Sequence, residues 1–348
     1  MTHSNRRLAF AIMVAALALT ACGGTDTAAP IPPDQTGAAP AGYPVTIENC
    51  GRTLTFDAPP DRAVLSYHPV AETFVGLGLA DRAVGRAGYE GALPEPAVLP
   101  EQAADFAKIP VVSETNYPPP REQMLALRPD FLLAYGDFDY GGPAGADGLA
   151  TLDELETAGV QVYSVTCPDP TGNYAGETLE SAYRSLLDLG TIFGVRDRAQ
   201  QRVEQMQQQI ADVQEKVAGR PPVEAIMYGG DEGPLNLSGG LGINTELLEA
   251  AGGVNAFDAE GLFFEASLEV VGAKSADAFV IFADTTTPAG ELDASLQAEF
   301  LFRTFPDMPA SQERRVAVTA YERTVPGWRI AQTVEDLARQ LHPEAFGT

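Results

Sequence analysis

Short apolar runs alternate along this chain with longer amphipathic ones, a pattern that predicts strands and helices packed in α/β layers. Val45–Ile47 and Thr53–Phe56, joined through Asn49-Cys50-Gly51, predict a hairpin. Ala63–Ser66, Val84–Arg86, Ile109–Val112, Phe131–Tyr135 and Val160–Val165 read as further strands, with helical patterns between them at Glu72–Leu77 and Arg121–Leu127. A second set of strands follows near Ala225–Tyr228, Phe279–Phe282 and Val316–Thr319.

The two halves share a pattern. Glu122 precedes Asp130 by the interval that separates Glu269 from Asp277, and each Asp leads directly into an apolar strand. The strings REQMLALRPDFLLAY and SLEVVGAKSADAFVIFA each predict a short helix, a turn and a buried strand. AETFVGLGLADRAVG and NTELLEAAGGVNAFD repeat a second theme in the same order, a helix running through Gly into a strand. Two lobes of similar build account for both repeats.

Between the halves, Val203, Met206, Ile210, Val213 and Val217 recur at three- and four-residue spacing, with Gln, Glu and Asp opposite. That predicts an amphipathic helix over Arg196–Val217, about 33 Å long at 1.5 Å per residue. It starts after Gly194 and stops at Gly219-Arg220-Pro221-Pro222. A helix of that length between two similar lobes serves as a strut.

The first residues bear on the compartment. Arg6 and Arg7 precede an apolar run from Leu8 to Leu19, closed by Leu19-Thr20-Ala21-Cys22. This is the arrangement of a secretory signal, too short to span a bilayer as a mature helix. Leu-Thr-Ala-Cys resembles the bacterial lipobox, which implies that Cys22 becomes the lipidated first residue. Gly23 to Gly42 holds one large aliphatic residue, Ile31, and reads as a flexible tether. The chain has 48 acidic and 22 basic residues, and loss of Arg6 and Arg7 with the signal takes its net charge from −26 to about −28. Phosphate repulsion at such a charge argues against nucleic acid as a partner. Cys50 and Cys167 remain besides Cys22. In an exported chain such a pair reads as a disulfide, the alternative being two separately buried thiols.

The segments RAVLSYHPVAETFVGLGLADRAVG, EQMLALRPDFLLAYG, LGTIFGVRDRAQQRVEQM, NTELLEAAGGVNAF and QTVEDLARQLHPEAF resemble, in order, the helical-backbone substrate-binding proteins that serve ABC importers of iron complexes and cobalamin. The resemblance implies two Rossmann-like α/β lobes bridged by one long helix, with the ligand in a cleft between them. It divides the chain into signal peptide (1–21), lipidated cysteine and tether (22–43), N-terminal lobe (44–176), connecting helices (177–219) and C-terminal lobe (220–348). It implies a monomer anchored outside the cytoplasm to the cell membrane, delivering a ferric siderophore or related bulky chelate to an ABC permease dimer. Glu122 and Glu269 occupy the positions where one surface glutamate per lobe meets arginines of the permease. After the first strand, where relatives carry Asn-Pro or Ser-Pro, this chain has Tyr67-His68-Pro69-Val70, a departure in a cleft-facing loop.

Catalytic chemistry finds little support. No GxSxG elbow, Walker loop, HExxH or CxxC occurs, and past the signal only His68 and His342 remain, His342 in a terminal helix expected at the surface. Two histidines are too few for a direct zinc or manganese site, so no cofactor is expected and iron only as part of a bound chelate. Loops beyond the strand ends supply the candidate ligand contacts. They are Tyr67, His68, Tyr89, Tyr117, Asp137, Phe138 and Tyr140 from the first lobe, and Asp231, Phe263, Phe264, Tyr321, Arg323, Trp328 and Arg329 from the second. Aromatic faces suit a bulky, partly apolar chelate, and arginines can hold its oxygens. A hydroxamate-type ferric siderophore fits an acidic domain better than an anionic catecholate. Cobalamin comes second, through Trp328 and the tyrosines, and haem third, through His68 with a tyrosine.

Overall fold

The computed structural model describes residues 40–88, 98–142, 147–170, 172–230, 234–283 and 290–347. The signal, Cys22 and most of the tether, together with Tyr89 and Asp231, lie outside the described residues. Strands β1 (Val45–Asn49) and β2 (Arg52–Phe56) pair antiparallel, Asn49 opposite Arg52. Both loop residues, Cys50 and Gly51, take positive φ, as a two-residue turn matched to strand twist requires. The Asn49 side chain donates to the Ser164 carbonyl at 2.8 Å and accepts from the Ser164 N–H at 2.9 Å. A disulfide joins Cys50 to Cys167 just beyond, so the hairpin is fixed to the first lobe at two adjacent points.

That lobe is a five-stranded parallel sheet of β3 (Ala63–Leu65), β4 (Ala83–Ala87), β5 (Val111–Ser113), β6 (Phe131–Ala134) and β7 (Gln161–Ser164), in the order β5-β4-β3-β6-β7. Helices α1 (His68–Gly76), α2 (Ala103–Phe106), α3 (Arg121–Ala126) and α4 (Leu152–Thr157) fill the connections. The second lobe is built on β8 (Val223–Gly230), β9 (Leu235–Ser238), β10 (Gly253–Asn255), β11 (Phe263–Ala266), β12 (Ala278–Ala283) and β13 (Val316–Ala320). Its path is β11-β9-β8-β12-β13, with β10 also on β8; β9 pairs antiparallel with both β8 and β11, and the other pairs are parallel. Every residue of β6 and of β12 is buried, which is why both read as unbroken apolar runs.

The two aspartates of the repeated pattern do the same work. Asp130 accepts from the backbone N–H groups of Asp61 and Arg62 at 2.9 and 2.8 Å, tying the start of β6 to the start of β3. Asp277 accepts from the N–H of Glu224 at 3.1 Å, tying the start of β12 to β8.

Helices α5 (Leu179–Ile192) and α6 (Arg196–Val217) connect the lobes. The buried face of α6 carries Ala199, Val203, Met206, Ile210, Val213 and Val217. Gly190 lets the two helices cross closely, since a Cβ there would stand 2.5 Å from that of Ala199. The second lobe adds α7 (Ile243–Ala250), α8 (Leu268–Gly272), α9 (Gly290–Thr304), α10 (Pro309–Gln312) and α11 (Ile330–Leu341). One apolar cluster runs from Leu65 and Phe74 through Leu186 and Met206 to Val280 and Leu337. The lobes therefore share a continuous core along α5 and α6, and the strut is embedded rather than free-standing. Among the described residues no helix is long and apolar enough to cross a membrane.

Candidate functional site

The carboxyl ends of the strands face each other across a cavity of about 330 Å³. The first lobe contributes Tyr135, which follows β6, Phe138 in the next turn, and Gly172, Asn173, Tyr174 and Glu177 from the loop between β7 and α5. The second contributes Ile243 and Asn244 at the start of α7, Leu262 and Phe263 at β11, and Tyr321 and Thr324 after β13. Five aromatic rings from the two lobes, Tyr135, Phe138 and Tyr174 on one side and Phe263 and Tyr321 on the other, give it rigid walls, edged by the three tyrosine hydroxyls.

These rings are locked by their neighbours. Phe138 lies edge-on to Tyr117, Tyr135 and Tyr174, with ring centres 6.3, 5.3 and 5.8 Å away. The Tyr174 hydroxyl donates to Asp137. The Tyr135 and Tyr321 hydroxyls, one from each lobe, lie close enough to influence each other's titration. The Tyr135 backbone N–H donates to buried Asp139, which also accepts from the Ser66 hydroxyl, both at 2.6 Å. Burial pushes the Asp139 carboxyl up to about 7 in spite of those hydrogen bonds. Glu177 is the one charged side chain on the cavity wall among the described residues. Desolvation raises it to about 8, and a hydrogen bond with Thr166 offsets only part of that.

Of the residues expected at the site from sequence, Phe138, Phe263 and Tyr321 stand on the cavity wall. Tyr67 and Tyr117 support it from behind, Tyr67 with its ring 5.2 Å from that of Tyr135. Phe264 points to the opposite face of β11 and packs on Phe257 at 5.2 Å, as strand alternation requires once Phe263 faces the cavity. Tyr140 is buried, its hydroxyl 2.9 Å from that of Ser164. His68 is buried against Phe106, ring centres 4.9 Å apart. His342 is also buried and bonds the Gly252 carbonyl at 3.0 Å, so its expected surface position is corrected: the end of α11 packs inward.

The C-terminal pair takes a different place from the one expected. Arg323 is paired with Asp336 at 2.8 Å. Trp328 covers Gly76, where any Cβ would strike its ring, donates its backbone N–H to Thr73 Oγ1 at 3.0 Å, and lies under the Arg202 guanidinium at 4.7 Å. Arg329 forms an ion pair with Glu72 at 2.8 Å, the two side chains only 11% and 4% exposed. Trp328 and Arg329 thus fasten the second lobe to α1. Burial raises the Glu72 carboxyl, and Arg329 pulls it back. Arg329→Met should cost about 3 kcal/mol in urea unfolding, because it strands a buried carboxylate. Adding Glu72→Gln should recover most of the loss, and a deficit unchanged by the second substitution would show that the pair is not the cause.

Residues 63–321 match the periplasmic binding protein family, well over half of the chain. The chain belongs to that family. Among solved structures it is similar to a periplasmic binding protein from Veillonella parvula, with TM-score 0.72 and 21% identity over 86% of this chain and 97% of that one. It is similar also to an ABC-type Fe3+-hydroxamate transport system structure from Saccharomonospora viridis, with TM-score 0.66 and 26% identity over 88% of this chain and 100% of that one. A curated relative, the uncharacterized ABC transporter substrate-binding lipoprotein YvrC of Bacillus subtilis, is 25% identical over 211 residues. That match spans 59% of this chain and 57% of the relative's length.

The cavity draws its lining from both sheets' loops. Sequence reasoning passed over Tyr135, Asn173, Tyr174, Glu177, Ile243, Asn244, Leu262 and Thr324. The signal for Tyr135 was present, since it closes the strand expected over Phe131–Tyr135. The DPTGNYAGE stretch, rich in turn residues after the last strand of the lobe, held Tyr174 and Glu177. Glu122 and Glu269 are both exposed, each in the first turn of a short helix, α3 and α8.

Proposed function

We propose that this chain is the substrate-binding lipoprotein of an ABC importer, and that it captures an iron(III)–hydroxamate chelate between its lobes and presents it to a permease dimer. It acts by binding, without catalysis. The observation that carries the ligand class is the cavity wall: aromatic and apolar groups from both lobes, with no arginine, lysine or histidine among the described residues that line it. Three hydroxamates neutralise iron(III), whereas three catecholates leave a trianion that would need cationic partners here. Arg323 and Arg329 do not supply them, being paired with Asp336 and Glu72. The volume lies at the small end of the usual range for ligand sites, about 300–1,000 Å³, which favours a compact chelate over a corrinoid. For haem, His68 would be the axial nitrogen, and its ring is packed against Phe106 instead. The likeness to the Saccharomonospora viridis Fe3+-hydroxamate system structure supports the same class.

Cys22 is the proposed lipid anchor, and the chain would work outside the cytoplasm at the membrane. Glu122 and Glu269 are the proposed contacts with the permease, one per lobe. Native mass spectrometry of protein purified from its own iron-limited cells tests the ligand. The expected species carries the added mass of an iron(III)–hydroxamate complex; haem or a corrinoid in its place would contradict the reading.

A further inference from the structure

The cavity is unbalanced in charge and in hydrogen bonding. Its charged group is a carboxyl, Glu177, with no cation beside it among the described residues. The Thr166 hydroxyl has a single proton, which it gives to the Tyr135 carbonyl at 2.7 Å as well as facing Glu177. Across the cavity, Asn244 is 5% exposed and its Oδ1 has no hydrogen-bond partner, while its amide nitrogen donates to Ser238 Oγ at 3.3 Å. The Glu177 carboxyl therefore faces a space whose lining holds no cationic donor among the described residues, and Asn244 stands in the wall of the same space with its Oδ1 buried. A protonated amine matches that carboxyl: it carries one positive charge and three N–H groups.

We infer that Glu177 reads the charge of the ligand: from the cavity wall it holds a protonated amine on the iron chelate, so the protein prefers a cationic hydroxamate complex to a neutral one. This rests on the hydroxamate reading above and extends it. The other titratable groups facing Glu177 are Tyr135 and Tyr321, with Tyr174 and Asp137 at the edge of the cavity. Burial keeps all three phenols neutral well above physiological pH, so Glu177 is the group that responds. In the empty cleft its carboxyl, raised to about 8, is mostly protonated at pH 7. An ammonium beside it favours the carboxylate, and binding then releases that proton. The sign follows: affinity for a cationic chelate rises with pH up to about 8, by as much as tenfold per unit, and then levels off. The amine itself stays charged throughout, its ordinary pKa being about 10.4.

The test uses two iron(III) trihydroxamates that differ only at one amine: ferric desferrioxamine B, with the amine free, and its N-acetylated derivative. Calorimetry at pH 8.5 should give at least about tenfold tighter binding of the free amine, the worth of one charge-assisted hydrogen-bonded pair. At pH 6 the preference should shrink to a few-fold. At pH 7, titrations in buffers of different ionisation enthalpy should show close to one proton released with the free amine and none with the acetylated form. Glu177→Gln should abolish both the preference and the proton release, whatever its absolute affinities. Equal affinities at pH 8.5 with no proton released by the wild-type protein would overturn the inference and leave the hydroxamate reading standing. If neither chelate binds, that reading fails and the inference falls with it.

Discussion

Removing the Cys50–Cys167 disulfide should lower stability by about 5 kcal/mol. The bridge closes a loop with a sequence separation of 117, and the chain-entropy model assigns roughly that value to a loop of such length. The location adds to the case. The hairpin bearing Cys50 buries the apolar side chains Ile47, Leu54 and Phe56 against the lobe, besides the Asn49 amide pair with Ser164 and the Arg52 guanidinium, which donates to the Val162 carbonyl and pairs with Glu156. A two-stranded ribbon with so little core has slight stability of its own. At an unfolding entropy of about 2.1 cal/mol/K per residue, the loss translates into a Tm lower by about 8 °C. Differential scanning calorimetry of the Cys50→Ser, Cys167→Ser double variant measures it directly. A fall of less than about 2 °C would mean that the hairpin is held by its packing and its Asn49 and Arg52 hydrogen bonds without help from the bridge.

The second large effect concerns transport. Replacing Glu122 and Glu269 together with Arg should reduce ligand uptake by at least about a hundredfold while Kd changes less than twofold. Both side chains are exposed and neither lines the cavity, so the ligand does not meet them. They sit at equivalent places in the two lobes, ahead of Asp130 and Asp277, which clamp β6 and β12 in the same way. A symmetric pair of acidic contacts suits a partner made of two like subunits. Truncating or reversing one side of a buried interfacial charge pair costs about 2–5 kcal/mol, and two such losses exceed the affinity of a transient complex. Leu268 and Val270 flank Glu269 and are 43% and 51% exposed, as a surface that becomes covered on docking would be. Uptake assays in cells or proteoliposomes, paired with calorimetry, separate the two steps. Normal transport by the double variant would remove these glutamates from the interface.

Much of the architecture was legible in the sequence because it rests on periodicity. The apolar runs of β6 and β12 announce strands buried on both faces, and the three-and-four spacing of Val203 to Val217 announces α6. Strand β10 was announced by the helix running through Gly in NTELLEAAGGVNAFD, whereas β9 and β11 were not read, each being only four residues long and placed by antiparallel pairing with its neighbour. The cleft was legible only as a set of loops. Which aromatic in a loop faces the ligand depends on alternation set by register: β11 presents Phe263 to the cavity and Phe264 to Phe257. Charged residues misled for a related reason. Arg323 and Arg329 are positive in the sequence, yet each is matched by an acid in the fold, Glu72 lying 257 positions from Arg329. Glu177 drew no notice among 48 acidic residues, and only its desolvation in the cavity sets it apart.

The central claim is that the cleft between the lobes takes a ferric hydroxamate, and direct calorimetric titration of the purified mature chain tests it. Ferric trihydroxamates, a ferric tris-catecholate, haemin and cyanocobalamin are titrated in turn at pH 7.5. The account predicts one-to-one binding of at least one ferric trihydroxamate with Kd below about 1 μM, near −8 kcal/mol, and affinities at least a hundredfold weaker for the other three. Submicromolar binding of haemin, cobalamin or the catecholate, with no heat from any hydroxamate, would contradict it.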